Sequence, residues 1–168
     1  MSARAAIALG SNLDDRETHL SGAIAELSAH SSITTIASSS FHETEAVGPN
    51  IDGNPQPSYL NAAIVIETTL SPRELLDCLL AIEHAHGRER ATEERWGPRT
   101  LDLDILLYTD NNRLNVTIDE DTLTIPHPRM HERDFVLKPL AEIASDWLHP
   151  IQNQSVAELL ARMTAITR

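Results

Sequence analysis

Asp102 and Asp104 lie two residues apart in the run Arg99-Thr100-Leu101-Asp102-Leu103-Asp104-Ile105-Leu106-Leu107. In an extended strand, alternate side chains point to opposite faces. Leu101, Leu103, Ile105 and Leu107 then share one face, and the two acids share the other. The aliphatic face supplies core, but packing gives no reason to set like charges side by side. A divalent cation removes that conflict, and hard oxygen donors suit Mg²⁺. Solubility of an exposed edge strand is the competing account. The surrounding cations favour the metal: Arg88, Arg90, Arg95 and Arg99 precede or abut the acids, and Arg129 and Arg133 follow them. Forked guanidinium donors match phosphate oxygens, so acids with arginines read as a site for a metal and a polyanion.

Other residues could complete such a site. His127 stands between Pro126 and Pro128, which fix where its imidazole points. Tyr59 and Phe135 each flank an expected loop and could sandwich a flat ring, although core filling is the commoner use of aromatics. Asn61, two residues after Tyr59 on an extended segment, shares its face and could bond the edge of such a ring. His84 and His86 are i, i+2 on a helix and do not face each other, so they read as helix C-terminal residues rather than zinc ligands. No glycine-rich phosphate loop is present. The six glycines include no two that are two residues apart, and the single lysine, Lys138, precedes a proline.

The elements that must hold these residues follow from periodicity and caps. Arg4 to Leu9 reads as a strand ended by Gly10-Ser11-Asn12, and Asp14 with Glu17 opens a helix carrying Leu20, Ile24 and Leu27. Ile33 to Phe41 and Leu60 to Thr68 read as strands, separated by a Gly- and Pro-rich loop at 48–57. Ser71-Pro72-Arg73-Glu74 is a helix start, Leu75, Leu79 and Ile82 its stripe, and Gly87 its stop. The arginine-rich stretch 88–99 reads as a polar loop able to close over phosphate. Leu101 to Tyr108 is the acid-bearing strand, followed by a turn and one or two short strands over 110–124. A helix around Val136, Leu140 and Ile143 is expected to break or restart at Pro139. Ser155 with Glu158 caps a last helix carrying Val156, Leu159 and Met163. The order β-α-β-β-α-β predicts an α+β chain: a ferredoxin-like split βαβ sandwich, mainly antiparallel sheet with helices packed on one face, and extra C-terminal helices.

At 168 residues, with 41% hydrophobic and 23% charged residues, the chain suits a single domain spanning 1–168. A net charge of −12 argues against nucleic acid or an anionic membrane as partner. No stretch resembles a signal peptide or membrane span, so a cytoplasmic protein, taken as a monomer, is expected. The lone cysteine, Cys78, sits among leucines and reads as a small packing residue.

Several of these segments together resemble the hydroxymethyldihydropterin pyrophosphokinase family of folate biosynthesis. They are Ala8-Leu9-Gly10-Ser11-Asn12-Leu13, Tyr59-Leu60-Asn61-Ala62-Ala63, Gly87-Arg88, the run from Arg95-Trp96-Gly97-Pro98-Arg99 through Ile105, and Pro126-His127-Pro128-Arg129-Met130 with Arg133 and Phe135. The resemblance implies an enzyme that moves pyrophosphate from ATP to the hydroxymethyl group of a reduced pterin, releasing AMP. It implies that Asp102 and Asp104 hold two Mg²⁺ ions with ATP, and that Arg88 and Arg99 stabilise charge during transfer. Tyr59 and Phe135 would stack on the pterin, with Asn61 and the main chain near Thr44 and Val47 reading its edge. Glu83, Arg90, Trp96, Ile105, Thr124, His127 and Arg133 would contact ATP. The chain departs from the family's usual pattern at Glu45-Ala46, Ala91, Thr122 and Pro128, and in a longer 48–57 loop.

Two other classes compete. A non-catalytic ferredoxin-like binding module would release no product. An aspartyl-nucleophile phosphohydrolase uses D-x-D-x-[TV], and Leu106 fails that pattern.

Overall fold

The computed structural model describes residues 2–46, 50–88 and 99–166. Strand β1 (Ala3–Ser11) is followed by α1 (Arg16–Ala29), β2 (Ile33–Ser38), β3 (His42–Thr44) and β4 (Tyr59–Thr68). Then come α2 (Pro72–Ala85), β5 (Asp102–Thr109), the hairpin β6 (Ile118–Glu120) and β7 (Leu123–Ile125), a 3-10 turn at Met130–Glu132, α3 (Asp134–Ala144) and α4 (Val156–Ile166). The main sheet runs β2-β4-β1-β5, with β3 also paired to β4, and every pairing is antiparallel. This is the split βαβ arrangement expected from the element order.

Helices cover both faces of the sheet, not one. Leu20 and Leu27 of α1 and Leu75 and Leu79 of α2 pack with Ile7, Leu9, Ile64 and Leu103 on one face. Leu137 and Leu140 of α3 and Val156 and Leu159 of α4 pack with Ala6, Ala63, Leu106 and Leu107 on the other. The second face is open to helices because small residues, Ala6 and Ala63, let them approach.

The expected single face for Leu101, Leu103, Ile105 and Leu107 holds only as far as Ile105. Ile7 pairs with Ile105, but Ala6 pairs with Leu107, so Leu106 is an extra residue in a β-bulge. One inserted residue reverses the alternation beyond it. Leu107 therefore joins the α3/α4 core and Tyr108 the α1/α2 core. A bulge in β2 likewise leaves Ile36 opposite no residue of β4, and its side chain is exposed.

Helix ends follow local chemistry, with one shift. Ser71 and Glu74 form the expected reciprocal capping box, and Glu158 N donates to Ser155 Oγ at 3.1 Å. At α1 the cap is Asp15, which accepts from Thr18 N at 3.2 Å. Asp14 instead adopts φ 57°, a left-handed conformation that a short polar side chain tolerates. Gly87, at φ +85°, supplies the turn that ends α2. Pro139 does not break α3. It lies inside the helix, buried against the sheet, where packing outweighs the one backbone bond it cannot donate. Among the described residues no helix is long and apolar enough to cross a membrane.

Candidate functional site

Strand register builds the site. Gly10 of β1 pairs with Asn61 on one side and Asp102 on the other, and Ala8 pairs with Ala63 and Asp104. The rows Asn61–Gly10–Asp102 and Ala63–Ala8–Asp104 thus cross the sheet on the α3 face. Small residues in the middle strand form a low floor, with Asn61 and the acids at its two sides. Two strand spacings separate those sides, roughly 10 Å. A Cβ on Gly10 would lie 3.3 Å from Asn61 Oδ1 and 3.6 Å from the Tyr59 ring, so the floor is as low as it can be there.

Above this floor is a cleft of about 600 Å³. Its lining takes Thr44, Tyr59 and Asn61 from the β3/β4 side and Asp102 and Asp104 from the β5 side, with Arg99, His127, Arg133 and Phe135 also on its walls. Asn61 Nδ2 donates to Thr44 Oγ1 at 2.7 Å, which fixes the amide and leaves its oxygen over Gly10. Phe135 comes from the first turn of α3, with the Arg133 guanidinium 5.7 Å from its ring centre.

At the acidic end, Asp102 anchors two arginines. Arg88 Nη1 donates to Asp102 Oδ1 at 2.7 Å, and Arg99 Nη1 donates to Oδ2 at 3.1 Å. Arg88 is itself buried and also donates to Glu83 Oε2 at 3.0 Å and to the Leu101 carbonyl at 3.2 Å. Glu83 Oε2 accepts from Leu103 N at 2.8 Å as well. Glu83 and Arg88 therefore stand behind Asp102 rather than on the cleft wall. Ile105 lies in the α1/α2 core. Thr124 lines a neighbouring smaller cavity that shares His127 with the cleft. Val47, Arg90 and Trp96, together with most of the expected arginine-rich lid, fall outside the described residues.

His127 is neutral at ordinary pH. Burial, then the Arg133 charge, pulls its pKa down from 6.5 to about 4. Its Nδ1 accepts from Arg129 N at 3.1 Å, which leaves Nε2 as the protonated nitrogen, a donor for an anionic oxygen. Between about pH 4 and 6.5 the unfolded chain binds a proton there that the folded chain refuses, so this contribution to stability is lost as pH falls through that window. The loss is on the order of 3 kcal/mol before solvent screening trims it. His127→Gln is expected to flatten the pH dependence of melting between pH 4 and 6.5 relative to the parent. The comparison also subtracts His149, which burial and His131 depress in the same direction. Parallel melting curves for the two proteins would show that His127 titrates normally.

Asn12 is a supporting residue to which sequence reasoning gave no role, although it stands in the Gly10-Ser11-Asn12 turn and in a segment that carries the family resemblance. It is 1% exposed. Its Oδ1 accepts from Arg99 N at 2.8 Å, and its own N donates to Arg99 O at 3.1 Å. Its Nδ2 donates to Gln56 Oε1 at 3.1 Å and to Pro57 O at 3.2 Å. One buried amide thus fixes Arg99 and the segment leading to Tyr59 together. An asparagine among glycine and serine reads as turn chemistry, so nothing local signals that role.

Among the described residues no three His, Cys, Asp or Glu side chains converge as a metal cage. Two carboxylates in an open cleft still suit Mg²⁺, which keeps several waters and takes its remaining oxygens from a bound phosphate chain. The donors present fit that metal.

A sequence profile of the family described as 7,8-dihydro-6-hydroxymethylpterin-pyrophosphokinase matches residues 6–145. A Synechocystis protein named 2-amino-4-hydroxy-6-hydroxymethyldihydropteridine pyrophosphokinase is 43% identical over 159 residues, covering 95% of this chain and 75% of that protein. A Bacillus subtilis protein of the same name is 50% identical over 137 residues, covering 82% of this chain and 75% of its own. Among solved structures, wild-type HPPK-DHPS of Plasmodium falciparum with pterin and p-hydroxybenzoate superposes with a TM-score of 0.72 over 99% of this chain. The identity is 15%, and this chain spans 44% of that one, so the likeness concerns the fold.

Proposed function

The chain belongs to the 7,8-dihydro-6-hydroxymethylpterin-pyrophosphokinase family, and from that premise we propose that it transfers pyrophosphate from ATP to the hydroxymethyl group of 6-hydroxymethyl-7,8-dihydropterin in folate biosynthesis, releasing AMP. The observation that carries this reading is the two-ended cleft. An aromatic and amide end faces an acid and arginine end across the low Gly10 and Ala8 floor. A flat heterocycle at the first end presents its hydroxymethyl group to a polyphosphate at the second.

In-line attack of the hydroxyl oxygen on the β-phosphorus needs alignment and charge neutralisation more than a strong base. Tyr59 and Phe135 hold the pterin plane, and Asn61 reads its edge with the main chain near Thr44 and Val47. Asp102 and Asp104 are the side chains that would hold two Mg²⁺ ions accompanying ATP; when bound, they neutralise phosphate charge and fix phosphate oxygens. Arg99, on the cleft wall and held by Asp102, places guanidinium charge beside the transferring group, and Arg88, held behind Asp102, adds its charge to the same end of the cleft to stabilise the charge developed in transfer. His127 offers a neutral N–H donor, and Arg133 a cation, to the nucleotide phosphates. Glu83 fixes Arg88 and the start of β5. Arg90, Trp96 and Thr124, with the main chain of Ile105, whose side chain is in the core, complete the nucleotide contacts in this proposal. The whole chain acts as one pyrophosphokinase domain, as a monomer in the cytoplasm.

The test is product identity. Incubation with Mg-ATP and the reduced pterin alcohol is expected to give AMP and pterin pyrophosphate only when both substrates are present. Orthophosphate release independent of pterin would point to a hydrolase, and no turnover with tight ligand capture to a binding module.

A further inference from the structure

We propose that Ser40, His42 and Glu142 form a tie that sets the gap between the two walls holding the pterin, so that His42 and Glu142 are positioning residues for that substrate. The proposal rests on the assignment of the Tyr59, Asn61 and Phe135 end to the pterin. Glu142 lies seven residues after Phe135, two helical turns along the same side of α3. Its carboxylate accepts from Ser40 N at 3.2 Å, from Ser40 Oγ at 2.7 Å and 3.0 Å, and from His42 Nε2 at 2.6 Å. His42 opens β3, which ends at Thr44, and it pairs in register with Asn61. One wall of the cleft is therefore β3 with β4, the other is α3, and the tie runs directly between them.

The cluster contains the residue types of a Ser-His-acid relay, but its geometry forbids that use. Ser40 Oγ, at 3.3 Å, and Glu142 Oε2 both face the same ring nitrogen of His42. A relay needs acid and hydroxyl on opposite nitrogens. The cluster is also open to solvent, with the His42 and Glu142 side chains 30% and 36% exposed. Exposed ion pairs add little to folding stability, so its effect falls on geometry. The hydrogen bonds from His42 and Ser40 hold the Glu142 carboxyl below the usual carboxylate range, which keeps the acceptor charged.

The test is steady-state kinetics on Glu142→Ala, His42→Ala and the double variant. Each single change is expected to raise KM for the reduced pterin roughly tenfold, with kcat and KM for Mg-ATP within about twofold of the parent. The double variant is expected to be no worse than Glu142→Ala alone, because loss of the carboxylate already removes every bond of the tie. Glu142→Gln, which keeps an acceptor for Ser40, is expected to recover part of the loss. Should Glu142→Ala fail to fold in melting experiments, Ser40→Ala removes one hydroxyl and is expected to raise the same KM about threefold. An unchanged pterin KM in folded variants overturns the tie, as does an equal rise for both substrates or independent effects that multiply. A parent enzyme whose AMP release ignores pterin overturns the substrate assignment itself and the tie with it.

Discussion

Asp104→Asn is expected to lower pyrophosphate transfer by at least about a thousandfold while the protein folds normally. The amide has the carboxylate's shape, and the side chain faces the cleft beside Ala8 rather than either core. Removing one of two like charges on one strand face does not cost the fold. The loss that stops transfer is that of an anionic oxygen donor for Mg²⁺. Titration of ATP with and without Mg²⁺ is expected to show a large metal-dependent gain in affinity for the parent and a small one for the variant. Near-normal turnover of the variant at ordinary Mg²⁺ concentration would remove Asp104 from the metal site.

Replacing Asp102 would carry a known further cost. In the sequence the two acids are equivalent, both on the polar side of an alternating strand. In the structure Asp102 accepts from the guanidiniums of Arg88 and Arg99, so its replacement would loosen two arginines as well as a metal. That anchoring depends on where the chain returns after the 88–99 stretch, which no local pattern encodes. The strand itself, its acidic face and the caps at Ser71 and Ser155 were legible because each is written within a few residues. The bulge at Leu106 was not, since an alternating apolar run carries no mark of where one residue slips. The covering of the second sheet face was hidden for a similar reason. Ala6, Ala8 and Ala63 read as ordinary strand residues until α3 and α4 are seen to pack over them. Pro139 misled because local propensity counts the missing bond but not the burial that outweighs it.

Arg88→Ala combines a catalytic and a structural loss, and the two can be separated. From chemistry alone, a guanidinium that engages charge developing in the transition state should leave ground-state ATP affinity little changed when it is removed. A charge-assisted hydrogen bond of about 1.5–3 kcal/mol corresponds to roughly a 10- to 100-fold fall in turnover. The structure adds a second cost. Arg88 is 5% exposed and Glu83 2% exposed, and they share a hydrogen bond of 3.0 Å. Deleting the cation takes a guanidinium partner from a buried carboxylate, a loss of up to about 3–5 kcal/mol. Arg88→Ala is therefore expected to melt well below the parent as well as turn over slowly. Glu83→Gln added to it removes the stranded charge while the amide oxygen still accepts from Leu103 N. The double variant is thus expected to regain most of the melting temperature and none of the turnover. If turnover returned along with stability, Arg88 would serve the fold alone. A large loss of ATP affinity with turnover intact would place its guanidinium on the ground-state nucleotide rather than on the transferring group.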